Sequence, residues 1–156
     1  VDFDSTKKVL EALERERVKY VVFGAAAINL LGLPRATQDL DIFIAPETEN
    51  VGRLKAALRS VFDDPHIEEI QADDLIGEYP SVEYVPPQGT FHIDILTRLG
   101  EAFRFEDLES QRIDFQGILV SVATPKTLYR MKKSTIRLKD KADAFMLKER
   151  FQIEDD

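Results

Sequence analysis

Residues 39–44 read Asp-Leu-Asp-Ile-Phe-Ile, and no other stretch restricts the fold of this chain so tightly. Leu40, Ile42 and Ile44 alternate with Asp39, Asp41 and Phe43, the period of a half-buried strand that puts both carboxylates on the face away from the aliphatic side chains. Two carboxylates at i and i+2 on one strand project side by side and repel, which destabilises the strand unless something cationic sits between them. Magnesium meets that need economically, because it prefers oxygen ligands and keeps positions open for waters and phosphates. Asp-x-Asp pairs also occur at exposed edges and turns without a metal, and the pair alone leaves both readings open. Phe91-His92-Ile93-Asp94-Ile95-Leu96 repeats the pattern. There Ile93 and Ile95 face the core, His92 and Asp94 the other side. Were this strand to lie beside the first, three carboxylates would converge on one point.

The rest of the chain reads as helices and strands around these two segments. Ser5 can cap a helix with Val9, Leu10, Leu13 and Val18 at helical spacing, ending before Lys19. Tyr20–Phe23 is a short β-rich run stopped by Gly24, followed by a small buried helix over Ala25–Leu31 and a second stop at Gly32 and Pro34. A strand that ends in glycine and runs into a helix offers backbone N–H groups and a positive helix end to an anion. A close-packing glycine would leave the same trace. Pro46 and Thr48 open a helix through Val61, His66–Ile70 reads as a short strand, and 73–77 as a helical turn. Ser81–Val85 and Thr90–Leu96 flank Pro86-Pro87-Gln88-Gly89 as a hairpin, and Arg112–Phe115 with Ile118–Val122 flank Gln116-Gly117 as another. Thr124 and Pro125 start a helix to about Lys133, with Pro at the first helical position. A last helix over 136–151 buries Leu138, Ala142, Phe145 and Met146. The order predicts an α/β (α+β) fold, a mixed β-sheet flanked by helices.

At 156 residues the chain suits a single domain, 1–156, with a C-terminal helical part over about 124–151. Its hydrophobic and charged fractions, 44% and 32%, exclude disorder as the main state. The net charge of −8 disfavours non-specific attraction to nucleic acid, so any such contact must be local. With no cysteine, thiol nucleophiles, disulfides and Cys-ligated zinc are excluded. The longest uncharged stretch, Tyr20–Pro34, is too short and too interrupted to span a bilayer, so no membrane association and a cytoplasmic location are expected. Charge is unevenly spread: 60–97 carries nine acidic residues and no Lys or Arg, while 126–148 carries eight basic residues against Asp140 and Asp143. The second segment is either a solvated basic helix pair or a surface that faces an anion. No Ser-His-Asp or His-Glu-x-x-His pattern supports a hydrolase or zinc protease. His66 receives no role. Phe103, Phe105 and Phe115 are read as core.

The run Val22-Phe23-Gly24-Ala25, the short helix, Gly32, Arg35, Thr37, Asp39-Leu40-Asp41 and the later Asp94 together resemble the nucleotidyltransferase superfamily with the polymerase-beta-like fold. Gly32-Leu33-Pro34-Arg35-Ala36-Thr37-Gln38-Asp39 and Arg137-Leu138-Lys139-Asp140-Lys141-Ala142-Asp143 are most similar to small bacterial nucleotidyltransferase-like proteins related to toxin–antitoxin systems. The likeness runs from about Tyr20 to Leu147 and is most specific between Gly24 and Asp41. It departs from the pattern at Ala25, where the family usually has Gly or Ser; Ala keeps its N–H but supplies no hydroxyl.

The resemblance implies a metal-dependent transfer of a nucleoside monophosphate from a nucleoside triphosphate to a hydroxyl. The acceptor class, whether RNA, protein or small molecule, stays open. It implies that Asp39, Asp41 and Asp94 are catalytic and hold Mg2+ or Mn2+, with Asp94 helping to deprotonate the incoming hydroxyl. Gly24 and Ala25 would cradle phosphates. Arg35 and Thr37 would reach the nucleotide, although Arg35 has acidic neighbours as an alternative. Lys126, Arg130 and Lys133 are candidates for phosphate contact. His92 shares a face with Asp94 and either lines the pocket or plays a structural part. The alternative to an active enzyme is a weak or inactive protein of this fold that serves as a nucleotide-binding module or as a protein partner in a toxin–antitoxin pair.

Overall fold

The computed structural model describes residues 3–33, 39–87, 91–99, 103–133 and 138–154. The helices are α1 (Phe3–Arg15), α2 (Gly24–Leu30), α3 (Thr48–Val61), α4 (Ala72–Ile76), α5 (Pro125–Lys133) and α6 (Leu138–Phe151). The strands are β1 (Tyr20–Phe23), β2 (Asp39–Ile44), β3 (Ser81–Tyr84), β4 (His92–Leu96), β5 (Arg98–Leu99), β6 (Phe103–Arg104), β7 (Ser110–Phe115) and β8 (Ile118–Ala123). Six of them form a mixed sheet in the order β3-β4-β2-β1-β8-β7, and β5 and β6 form a separate ribbon. In the sheet centre β2 runs antiparallel to β1 and parallel to β4, and β1 is parallel to β8. This is the mixed sheet flanked by helices that the residue pattern predicts. Among the described residues no helix is long and apolar enough to cross a membrane.

The aliphatic face of the central strands makes the core. Leu40, Ile42 and Ile44 of β2, Val22 of β1, Ile93 and Ile95 of β4 and Val122 of β8 pack in one buried cluster with Leu10 and Leu13 of α1 and Leu54 and Leu58 of α3. On the opposite face of β2, Phe43 is fully buried as well, its ring centroid 4.8 Å from that of Phe23. The strand is therefore covered on both sides beyond Asp41, and only residues 39 and 41 interrupt the apolar run.

Several local expectations need correction. Residues 65–69 form a 3-10 turn rather than a strand, because Pro65 occupies its first position and the Asp64 side chain accepts the His66 N–H at 3.0 Å. The first helix begins at Phe3 and ends at Arg15, so Ser5 lies inside it, and Arg17 breaks away at φ 57°. In α6 the inward face is Asp140, Asp143, Ala144 and Leu147, whereas Ala142 and Phe145 point outward. A helical pattern weighted for apolar residues chose the wrong stripe, because Lys132 supplies the charge that lets two aspartates turn in. Residue 136, and the side chain of Leu138, lie outside the described residues. The hairpin at β7–β8 turns on Gln116 and Gly117, both with positive φ, as a two-residue primed turn requires. The β5–β6 ribbon was not foreseen, since two-residue strands carry no periodicity.

Asn50, in the first turns of α3, is 1% exposed. Its Oδ1 accepts the Lys19 N–H at 2.7 Å, and its Nδ2 donates to the carbonyls of Lys19 at 3.0 Å and Ala45 at 3.1 Å. One side chain thus joins the entry of β1 to the exit of β2. Each such bond contributes on the order of 1 kcal/mol, and more where a buried partner is orphaned. Asn50→Ala should cost about 3 kcal/mol, read as a lowered urea midpoint with an unchanged slope.

Candidate active site

The strand register sets the carboxylates next to one another. Phe23 on β1, Asp41 on β2, Asp94 on β4 and Glu83 on β3 are successive register partners across the sheet. One rung away Asp39 is the partner of His92. Parallel pairing of β2 with β4 therefore brings Asp41 and Asp94 side by side, and their side chains share a hydrogen bond. Asp39 flanks this pair with His92 Nδ1 3.7 Å from its Oδ1, and the same nitrogen is 3.9 Å from Glu83 Oε1. Glu83 is flanked by Val82 and Tyr84 much as Asp41 is by Leu40 and Ile42, but only the register of β3 against β4 brings it beside Asp94, and the hairpin expected from the sequence leaves that register open.

Among the described residues no three His, Cys, Asp or Glu side chains are gathered as a ready cage for an ion. What the sheet presents is a hydrogen-bonded pair with a third carboxylate beside it. A small hard cation is commonly held by one or two carboxylates, with waters and substrate phosphates completing the shell. An all-oxygen pair fits that chemistry.

Asp41 is the strained member. Burial pushes its carboxyl up to about 7, assisted by the hydrogen bond to Asp94 and by the charges of Asp94 and Asp39, while Lys132 pulls the other way. Phe23 is the register partner of Asp41, and its ring packs on that of Phe43. Gly24 closes the other side of the same carboxylate. It has φ +68°, and a Cβ built on it would lie 2.1 Å from Asp41 Oδ2. Both the backbone conformation and the space forbid a side chain, so this glycine is specific to the carboxylate beside it. Ala25, Ala26 and Ala27 follow it with their methyls buried in α2.

Lys132 is the cation that sequence reasoning passed over. Its Nζ lies 3.1 Å from Asp140 Oδ1 and 3.0 Å from Asp143 Oδ2, and the residue is only 9% exposed. The signal was available: Leu128, Tyr129 and Lys132 fall on one helical face, and Asp140 and Asp143 stand three apart in the next helix. The stripe proposed from sequence, Lys126, Arg130 and Lys133, lies on another face of α5. Lys126 and Lys133 are exposed, Arg130 is half-buried, and the Lys133 ammonium sits 5.4 Å above the Tyr129 ring. Arg35 and Thr37 lie outside the described residues.

An aspartate whose pKa is raised on folding binds, in the native state, a proton that the unfolded chain has released. Stability then falls as pH rises from about 4 to about 7 and levels off above that. A displacement of roughly three pH units corresponds to at most about 4 kcal/mol. Metal-free protein should unfold at higher urea at pH 5 than at pH 8. Asp41→Asn, which keeps the neutral form at every pH, should remove most of that difference and be the more stable protein at pH 8. Comparing the two proteins cancels His66, whose pKa is also raised, by Glu69.

Residues 8–145 match the family model of the nucleotidyl transferase AbiEii toxin, type IV TA system. A search of curated proteins finds no match. Among solved structures, ANT(2")-Ia in complex with adenylyl-2"-tobramycin aligns at a TM-score of 0.58 and 13% identity, over 96% of this chain and 88% of that one. An antigenic nucleotidyltransferase-like protein from Paracoccidioides brasiliensis aligns at 0.56 and 15% identity, over 92% and 74%. At such identities the structural likeness bears on the fold alone.

Proposed function

As the chain belongs to the family of the nucleotidyl transferase AbiEii toxin of type IV toxin–antitoxin systems, we propose that it is a metal-dependent nucleotidyltransferase. It transfers a nucleoside monophosphate from a nucleoside triphosphate to a hydroxyl of RNA, protein or a small molecule. The observation that carries this reading is the Asp41–Asp94 pair on adjacent parallel strands, pressed against Gly24. A buried carboxylate pair sharing a hydrogen bond is poised to exchange its proton for a cation.

In this reading Asp39 and Asp41, with Asp94, hold Mg2+ or Mn2+. The bound cation supplies charge neutralisation for the triphosphate and for the departing pyrophosphate. Asp94 accepts the proton of the acceptor hydroxyl and aims its oxygen at the α-phosphate. The N–H groups at Gly24 and Ala25 receive phosphate oxygens, and Arg35 and Thr37 contact the nucleotide. Lys126, Arg130 and Lys133 remain candidates for the outer phosphates. Lys132, fixed by Asp140 and Asp143, offsets part of the negative charge at Asp41. Toxin family membership further suggests a partner antitoxin, encoded or acting separately from this chain.

Calorimetric titration with ATP, GTP, CTP and UTP, with and without Mg2+, tests the reading. One triphosphate should bind only with Mg2+, and Asp39→Ala with Asp41→Ala should weaken it at least about 100-fold. Absence of triphosphate binding by the folded protein would overturn the enzyme. Ala25 gives a second reading a foothold, a nucleotide-binding protein without turnover. Labelled-nucleotide transfer separates the two through Asp94→Asn, which should keep triphosphate affinity within a few-fold and lower transfer by about 10²–10⁴. Equal transfer by both proteins would remove Asp94 from the chemistry.

A further inference from the structure

A second concavity lies at the opposite end of the same strands. Ala45-Pro46-Glu47, which follow β2, and Thr97-Arg98, at the exit of β4, help to enclose a groove of about 580 Å3. Its other walls include Lys19, Arg104, Phe105 and Glu106. The volume lies in the range of small-molecule sites.

The charges in this groove are not balanced. Arg98 and Arg104 are direct register partners across the β5–β6 ribbon, and both line the groove. Like charges placed opposite one another on paired strands cost stability. Among the described residues neither guanidinium has an ion-pair partner, whereas Lys19 beside them is matched by Glu47 at 3.1 Å. Glu106 lines the same space and makes no salt bridge to either arginine among the described residues. Two guanidinium forks placed opposite one another on the ribbon, neither ion-paired with a carboxylate of the described residues, offer the donors that take a phosphate through paired hydrogen bonds. The wall around them is partly apolar, with the Phe105 ring and the 41% exposed Ile76, and Glu106 offers an acceptor for hydroxyl groups.

We propose that this groove binds a small organic phosphomonoester, its phosphate on Arg98 and Arg104, its apolar face on Phe105 and Ile76, and its hydroxyls toward Glu106. Free phosphate and the phosphate of a sugar or nucleotide share the first contact and differ in the others. The site is independent of the carboxylate end and stands whether or not the chain transfers nucleotides.

Amide and arginine side-chain NMR spectra of the full chain, titrated in EDTA with inorganic phosphate, ribose 5-phosphate and AMP, test it. The expected result is saturable shifts confined to the groove, at residues 19, 45–47, 76, 97–99 and 103–106, with at least one organic phosphate binding tenfold or more tighter than inorganic phosphate. AMP tighter than ribose 5-phosphate marks a nucleotide ligand, and equal affinities mark a sugar phosphate. Arg98→Gln with Arg104→Gln should weaken binding at least tenfold without lowering the melting temperature, because both side chains are exposed and their mutual repulsion is removed. No saturable shift in these residues overturns the proposal, as does affinity no better than that of inorganic phosphate. Unchanged affinity in the double variant overturns it too.

Discussion

Two acidic side chains that repel each other when both are charged, Asp41 and Asp94, are held side by side by residues on the other face of the sheet. Leu40 and Ile42 on β2 and Ile93 and Ile95 on β4 are fully buried on the opposite face. A slip of one residue in the β2–β4 pairing would turn an aliphatic set out of the core. Burying a side chain of this size is worth roughly 1.5–3 kcal/mol, and four of them outweigh the penalty of pushing one carboxyl up to about 7. The register is thus set by the apolar face, and the polar face accepts the consequence.

The same logic extends to the C-terminal helices. Lys132 with Asp140 and Asp143 forms a nearly buried triad that carries one net negative charge. Such a group is seldom the most stable filling for its volume. It does fix how α5 meets α6, since removing the ammonium would leave two carboxylates facing a dry contact. It also puts a cation where Asp41 feels it. Fold and candidate site share this group, which explains why a face that reads as solvated charge is turned inward.

Much of this was legible in the chain. The alternations at 39–44 and 91–96 specify strands, faces and the three aspartates, and Gly24 stands out as a stop between strand and helix. What periodicity does not encode is which strands become neighbours. The convergence of Asp41 with Asp94, and of Glu83 beside them, comes from the sheet order β3-β4-β2. Local capping chemistry overrode the β-like look of 66–70, since Asp64 and Pro65 start a turn there. The inward face of α6 was misjudged because a scale of hydrophobicity assigns aspartate to water, and only the tertiary partner Lys132 reverses that.

Gly24 and Asp41 also bear on how sequences of this kind can drift. A methyl at residue 24 and a carboxylate at residue 41 compete for the same space, so residue 24 is not free to vary by itself. A lineage that gave up the carboxylate would relax the steric half of the restriction on the glycine, leaving only its positive φ. A lineage that first acquired a side chain at 24 would displace the acid. The dependence runs one way: a side chain at residue 24 marks a diverged relative whose central acid has moved or gone, whereas a glycine there, favoured by its positive φ alone, does not by itself report the acid.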